Sequence, residues 1–139
     1  MADRDDWNRH IVEEFRANHG KVGGMWEGRP LLLLTTTGAK SGQSRTNPMM
    51  YQREGDRLFV FASKGGAPTN PDWYHNLLAH PEVTVEIGDH RYSATAKPIT
   101  GAERDSIYDR WSQRYPQFRE YQEKTSRVIP VIELTPKAA

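Results

Sequence analysis

The sequence predicts a mainly β, α+β fold: a small antiparallel barrel of six strands with helices on its outside. Three observations carry this. Short runs rich in Leu, Val, Ile, Phe and Thr are separated by tight turns at Gly38–Gly42, Glu54-Gly55-Asp56 and Gly88-Asp89, which is the spacing of hairpins. Strands joined by hairpins are antiparallel, because a parallel pair needs a long crossover. So short a set of strands would expose unpaired edges, and closing the sheet removes them.

Each element has its own signal. Residues 5–18 set Trp7, Ile11, Val12 and Phe15 in a helical stripe between charges, predicting an N-terminal helix packed on the domain. Gly20 and Gly23-Gly24 end it. Leu31–Thr37 is continuously apolar and β-branched, hence a buried strand. Arg45–Gln52 predicts a second strand, which Pro48 confines to an edge or a bulge. Arg57–Ser63 predicts a third, with Leu58, Val60 and Ala62 alternating with Phe59 and Phe61.

Asn70-Pro71 marks a helix start, with Asn at the N-cap and Pro at the first helical position, running to Ala79. Glu82–Ile87 and His90–Pro98 form a hairpin with Val83, Val85 and Ile87 on one face. Thr100-Gly-Ala-Glu103 reads as a capping box that opens a helix to about Arg114. Tyr115-Pro116 breaks it, and Phe118, Tyr121 and Gln122 resume helical spacing. Val128–Thr135 is the sixth strand. Residues 1–22 are therefore an N-terminal helix and linker, and 23–136 a single domain.

Size and composition narrow the function. A chain of 139 residues is long enough for one core and too short for two. With 19 Lys+Arg against 18 Asp+Glu, it lacks the basic excess of a protein that binds nucleic acid through one charged face. It has no cysteine, which excludes disulfides, thiolate metal sites and cysteine nucleophiles. The first residues are charged, unlike a signal peptide, and no apolar run nears the roughly 20 residues of a membrane span. A soluble cytoplasmic protein is the expectation. The alternative, a first helix lying on the inner face of the plasma membrane, is opposed by Asp3, Asp5, Asp6, Glu13 and Glu14.

Charge is nonetheless uneven. Between Gly38 and Gly65 the cations Lys40, Arg45, Arg53, Arg57 and Lys64 face only Glu54 and Asp56. A positive cluster in a near-neutral chain points to a small anionic ligand. Lys40, Arg45 and Lys64 also lie at strand ends beside glycines and hydroxyls, where exposed backbone N–H groups and fixed cations suit a phosphate-bearing molecule. The Gly38–Gly42 turn is not a P-loop, because no glycine precedes Lys40 and a strand follows.

Ala62-Ser63-Lys64-Gly65-Gly66 leaves its strand through small residues, which lets a planar ring approach the backbone. Pro48 and Met49 could floor such a ring, and Asn76 can read a heterocycle edge by donating and accepting. Trp73 and Tyr74 are equally readable as core anchors. Tyr115, Phe118 and Tyr121 form either a helix face against the barrel or the lining of a substrate pocket. His75 and His80 do not share a helix face, so no metal site is expected. Ser63 lacks a nucleophile elbow, so neither is a serine hydrolase.

Four motifs together resemble one family: Leu-Leu-Leu-Thr-Thr-Thr-Gly-Ala-Lys-Ser-Gly-Gln-Ser-Arg-Thr-Asn-Pro, Ala-Ser-Lys-Gly-Gly, Asn-Pro-Asp-Trp-Tyr-His-Asn-Leu and Ile-Pro-Val. The chain is similar, over roughly Gly23 to Pro136, to the deazaflavin-dependent nitroreductases, also called F420H2-dependent quinone reductases. The resemblance implies a split β-barrel like that of FMN-binding oxidoreductases. It implies coenzyme F420, an 8-hydroxy-5-deazaflavin with a phosphodiester and glutamates in its tail, as cofactor. Hydride would pass from the reduced form, F420H2, to a small acceptor: a quinone, an enone or a nitro compound.

By the same resemblance Lys40, Ser41, Arg45 and Lys64 would hold the phosphate and acidic tail, and Ala39 would be a further cofactor-binding residue. Thr46, Asn47, Pro48, Met49 and Met50 would flank the ring, with Ala62 and Ser63 facing it, and Trp73, Tyr74 and Asn76 closing the opposite side. Tyr115, Phe118 and Tyr121 would meet substrate, and Ser63 and Tyr121 would orient or protonate it. Met50 and Phe118 stand where members that reduce bicyclic nitroimidazoles carry tyrosines, which implies an apolar pocket suited to a quinone or enone. The alternatives are an FMN-binding oxidoreductase on the same barrel and a non-catalytic deazaflavin carrier or sensor.

Overall fold

The structure, a computed structural model, describes residues 2–137, with side chains described from Asn8 onward except that of Met25. Trp7, Asp3, Asp5 and Asp6 therefore lie outside the described side chains. The elements run α1 (Ala2–Ala17), β1 (Leu31–Thr37), β2 (Ser44–Met50), β3 (Gln52–Glu54), β4 (Arg57–Phe61), α2 (Asp72–Ala79), β5 (Glu82–Ile87), β6 (His90–Ile99), α3 (Gly101–Arg114), α4 (Gln117–Glu123) and β7 (Val131–Pro136).

All seven strands form one antiparallel sheet in the order β2-β1-β5-β6-β7-β4-β3. Its two outermost strands are consecutive in the chain. Met50 pairs with Leu31, Gln52 pairs with Phe59, and only Tyr51 separates them. A sheet whose opposite edges are joined by one residue must curl, giving the half-barrel with flanking helices that the hairpin spacing predicts.

The count is seven rather than six for the same reason. The run expected as one strand, Arg45–Gln52, divides at Tyr51, whose N–H bonds to Pro30 O instead of continuing the ladder. Pro48 sits on the outermost strand, β2, opposite Leu33, where its missing N–H costs no ladder bond. The last strand starts at Val131 rather than Val128, and Val128 is exposed.

Burial follows strand alternation. Leu32, Leu34, Met49, Leu58, Val60, Ala62, Val83, Val85, Ile132 and Leu134 fill the barrel, and Trp73 and Leu77 of α2 join them. The opposite face of β4, Phe59 and Phe61, packs with Ile107, Trp111 and Phe118 of α3 and α4. The opposite face of β1, Leu31 and Leu33, packs with Ile11 and Phe15 of α1. Burial on both faces explains why β1 and β4 read as unbroken apolar runs.

Ile11 and Phe15 of the α1 stripe are covered by β1 and Val12 is partly covered beside them. Arg16 fixes the helix further, with Nε and Nη2 at 3.0 and 2.8 Å from the Glu86 carboxylate. No helix among the described residues is long and apolar enough to cross a membrane.

Two helix starts differ from expectation. α2 begins at Asp72, and Asn70 does not cap it: the Asn70 Oδ1 accepts from Arg127 Nη1 at 2.7 Å. Thr100 is the N-cap of α3 but makes no side-chain cap bond, and Glu103 pairs with Arg57 at 3.0 Å instead of closing a capping box. In both cases a long-range arginine outcompetes a local bond.

Candidate active site

Strand direction gathers the predicted site. Since every pairing is antiparallel, β1, β4 and β6 run toward one end of the barrel, and β2, β3, β5 and β7 run away from it. The turn after β1 (Lys40), the start of β2 (Arg45), the loop after β4 (Ser63, Lys64) and α2 all fall at that end. Residues far apart in sequence thus share one rim.

The turn is tightly built. Gly38 N–H bonds to Gln43 O at 2.8 Å, Gly42 N–H to Gly38 O at 3.0 Å, and Ser41 Oγ accepts from Gln43 N–H at 3.2 Å. A Cβ on Gly38 would lie 2.4 Å from Ser41 Oγ, so a larger residue here would have to turn the Ser41 hydroxyl aside. Asn76, buried on α2, ties the turn to the barrel. Its Oδ1 accepts the Ala39 N–H at 3.0 Å, and its Nδ2 donates to the buried Thr36 Oγ1 at 3.2 Å. The amide expected to read a ring edge is engaged inside the fold, and what it holds is the lysine-bearing turn.

Lys40 and Arg45 are exposed and make no hydrogen bond or ion pair among the described residues. Lys64 meets only a hydroxyl, Thr69 Oγ1, at 3.1 Å. The other cations of the cluster behave differently. Arg57 is committed to Glu133 at 2.9 Å and Glu103 at 3.0 Å, and its guanidinium holds the Glu133 carboxyl below the usual carboxylate range. Arg110 of α3 does the same to Glu54 at 2.8 Å. Arg57 therefore drops out of the ligand-facing charge, Arg53 lies away from the rim on β3 opposite Leu58 and interacts with Tyr92, and Lys40, Arg45 and Lys64 remain.

The alternation of β2 separates the residues expected beside a ring. Arg45, Asn47 and Met49 pair with Thr36, Leu34 and Leu32 on the barrel-facing side, while Thr46, Pro48 and Met50 lie on the other. Thr46 Oγ1 is 2.8 Å from Thr35 Oγ1, Met49 is buried in the barrel and Met50 against α3 and α4. Trp73 points into the barrel as a core anchor, and Tyr74 stays half-buried beside it.

The aromatic trio is likewise spread along α4. Tyr121 abuts the Lys64 loop, since a Cβ on Gly66 would meet Tyr121 O at 2.7 Å. Phe118 is buried between Trp111, at 5.1 Å, and Tyr121, also at 5.1 Å. Tyr115 lies beyond the opposite end of α4, against Trp111, with the Arg29 and Arg114 guanidiniums over its ring at 5.8 and 5.6 Å. The structure brings Tyr121 to the rim and leaves Tyr115 away from it.

Comparison with known proteins gives the family. Residues 7–136 match the family described as F420H(2)-dependent quinone reductase. The chain belongs to that family. An F420H(2)-dependent quinone reductase of Mycobacterium tuberculosis is 43% identical over 128 residues, covering 87% of this chain and 84% of its own. The solved structure of an F420-H2 dependent reductase superposes with a TM-score of 0.69 at 44% identity, over 76% of this chain and 94% of that one. A structure described as a domain-swapped dimer gives a TM-score of 0.71 at 39% identity, over 94% and 98%. The family is one of oxidoreductases, and its cofactor is coenzyme F420, not the FMN considered as the alternative.

For an F420-dependent reductase the donor set at the rim fits. Three cations without carboxylate partners, an exposed hydroxyl-bearing turn and a loop with open space at Gly65 suit a molecule with an anionic tail. Sequence reasoning missed Arg127. Its guanidinium donates to the carbonyls of Ala62 at 3.1 Å, Ser63 at 2.7 Å and Ala67 at 2.9 Å, besides Asn70. Burial pulls its pKa below the ordinary arginine value. A lone arginine before Ile-Pro-Val carries no local signal of this role.

Proposed function

We propose that this chain binds reduced F420 at the cation-bearing rim and reduces a quinone there by two-electron transfer. The observation that carries the reading is the pair of exposed, carboxylate-free cations Lys40 and Arg45 on the same rim as Lys64, whereas Arg57 and Arg110 are spent on carboxylates. When bound, reduced F420 supplies a hydride to an electrophilic acceptor, so the hard chemistry belongs to the cofactor and positioning to the protein.

Lys40, Arg45 and Lys64, with Ser41 Oγ and the Ala39 backbone, hold the tail. Ser63 faces the ring, the edge strand from Thr46 to Met50 flanks it, and Ala62, expected to face it as well, is instead buried inside the barrel. Asn76 and Trp73 act from behind, the first by fixing the turn and the second by filling the barrel beneath α2. Phe118 and Tyr121 form the acceptor's apolar side. Ser63 Oγ and Tyr121 Oη, neither hydrogen-bonded among the described residues, hold the proton that completes reduction of a carbonyl oxygen.

The apolar pair Met50 and Phe118, buried in one cluster, favours a quinone or enone over a nitroimidazole. Titrating the purified chain with F420 and with FMN, then offering F420H2 with menadione, cyclohexenone and a nitroaromatic, tests the reading. Binding of F420 and turnover of menadione is the expected result. Micromolar FMN binding without F420 binding would overturn it, and F420 binding without any turnover would leave a carrier.

A further inference from the structure

Arg127 has only neutral partners. Its four acceptors, Ala62 O, Ser63 O, Ala67 O and Asn70 Oδ1, span the loop that carries Ser63 and Lys64, and no carboxylate pairs with it among the described residues. Its own backbone is held from two helices. Gln122 Nε2 of α4 donates to Arg127 O at 2.7 Å, while Gln122 Oε1 accepts from Ile129 N–H at 3.0 Å and from Arg104 Nη2 at 2.7 Å. Arg104 of α3 gives two further bonds to Ile129 O, at 3.0 and 2.8 Å.

By contrast the loop has little of its own to hold it. Gly66 N–H bonds to Ser63 O at 2.9 Å and Ala67 N–H to Lys64 O at 3.1 Å, and Lys64 sits in the left-handed region at φ 48°. With three carbonyls gathered inward on one guanidinium, the Lys64 side chain is left outside, exposed.

We propose that Arg127 is a positioning residue for the cofactor loop: its planar fork sets the Ser63–Lys64 backbone, and its unmatched charge adds to the positive field of the rim. This rests on the reading that the loop binds F420. A lysine would keep the charge but not the fork, because an ammonium is a point donor on a flexible stem.

The test uses Arg127→Lys, Arg127→Met and Asn70→Ala in the full chain, with Arg16→Lys as a control for loss of a guanidinium fork, that on Glu86, away from the loop. Amide hydrogen exchange and F420H2–menadione kinetics at two salt concentrations are the readouts. Arg127→Lys should raise the KM for F420H2 about tenfold, one charge-assisted hydrogen bond's worth, with a smaller change in kcat and faster exchange confined to residues 62–70. Arg127→Met should add a weaker salt dependence, and Asn70→Ala should give a smaller KM rise of the same kind.

A wild-type KM and wild-type exchange in Arg127→Lys and Asn70→Ala would overturn the proposal. So would exchange that rises uniformly while kcat and KM shift as in Arg16→Lys. Should the wild-type chain fail to bind F420, the functional reading falls, and exchange in residues 62–70 still decides whether Arg127 is the clamp.

Discussion

Asn76 joins Ala39 to the barrel: its Oδ1 takes the Ala39 N–H at 3.0 Å while its Nδ2 reaches Thr36 at 3.2 Å. One buried amide thus connects α2, the end of β1 and the turn bearing Lys40. Asn76→Leu leaves the Ala39 N–H without its acceptor and loosens the turn. The expected cost is about 1–3 kcal/mol of unfolding free energy together with weaker F420 binding. Urea denaturation and fluorescence titration check both, and a variant of native stability with native affinity would refute the link.

Lys40→Ala and Lys64→Ala should each weaken F420 binding by about 1.5–3 kcal/mol, the worth of a charge-assisted contact. Added salt should shrink the difference from wild type, because both side chains are exposed and therefore screened. Titration at low and high salt reads this directly. Native affinity in both variants would dismantle the tail site.

Gly66 and Gly65 make a paired test of loop packing. Both have positive φ, 81° and 62°, but a Cβ on Gly66 would lie 2.7 Å from Tyr121 O, whereas Gly65 faces open space. Gly65→Ala should cost only the left-handed penalty of about 1–2 kcal/mol. Gly66→Ala must in addition push α4 from the loop, so it should be the more destabilised and the more impaired in turnover. Equal thermal midpoints for the two would contradict the close approach.

Phe118→Tyr should leave F420 affinity unchanged and shift acceptor preference toward nitro compounds, by placing a hydroxyl among Phe61, Trp111 and Tyr121. Competition between menadione and a nitroimidazole measures the shift. Collapse of the fold would instead mark position 118 as purely structural.

Tyr108 gives an alkaline signature. Its hydroxyl donates to Phe118 O at 2.6 Å, and burial pushes its pKa from 10.0 up to about 12. A raised folded pKa means the native state binds the proton more tightly than the unfolded chain. The associated stability is complete below pH 10 and disappears as pH climbs through about 12. Wild type should therefore lose its advantage over Tyr108→Phe across that window, and parallel stability profiles would exclude the effect.

Much of this was legible in the order of residues alone. Unbroken apolar runs at Leu31–Leu34 and Leu58–Ala62 marked the two strands buried on both faces, because alternation disappears when neither face meets water. Turn glycines set the hairpins, and four motifs in series identified the family. What local pattern could not decide was which polar partner each side chain would choose. Asn70, Glu103 and Asn76 each had a plausible near neighbour or ligand, yet Arg127, Arg57 and the Thr36–Ala39 pair claimed them across the fold.

Sequence by itself determined the strand-forming runs and the family, since these follow from periodicity and motif. Only tertiary structure decided that Lys40, Arg45 and Lys64 meet on one rim, that Arg57 is neutralised, that Tyr115 lies apart from Tyr121, and that Arg127 supports the loop. The physical reason is that long-range hydrogen bonds and strand direction depend on closure of the sheet, which brings residues scores of positions apart within 3 Å.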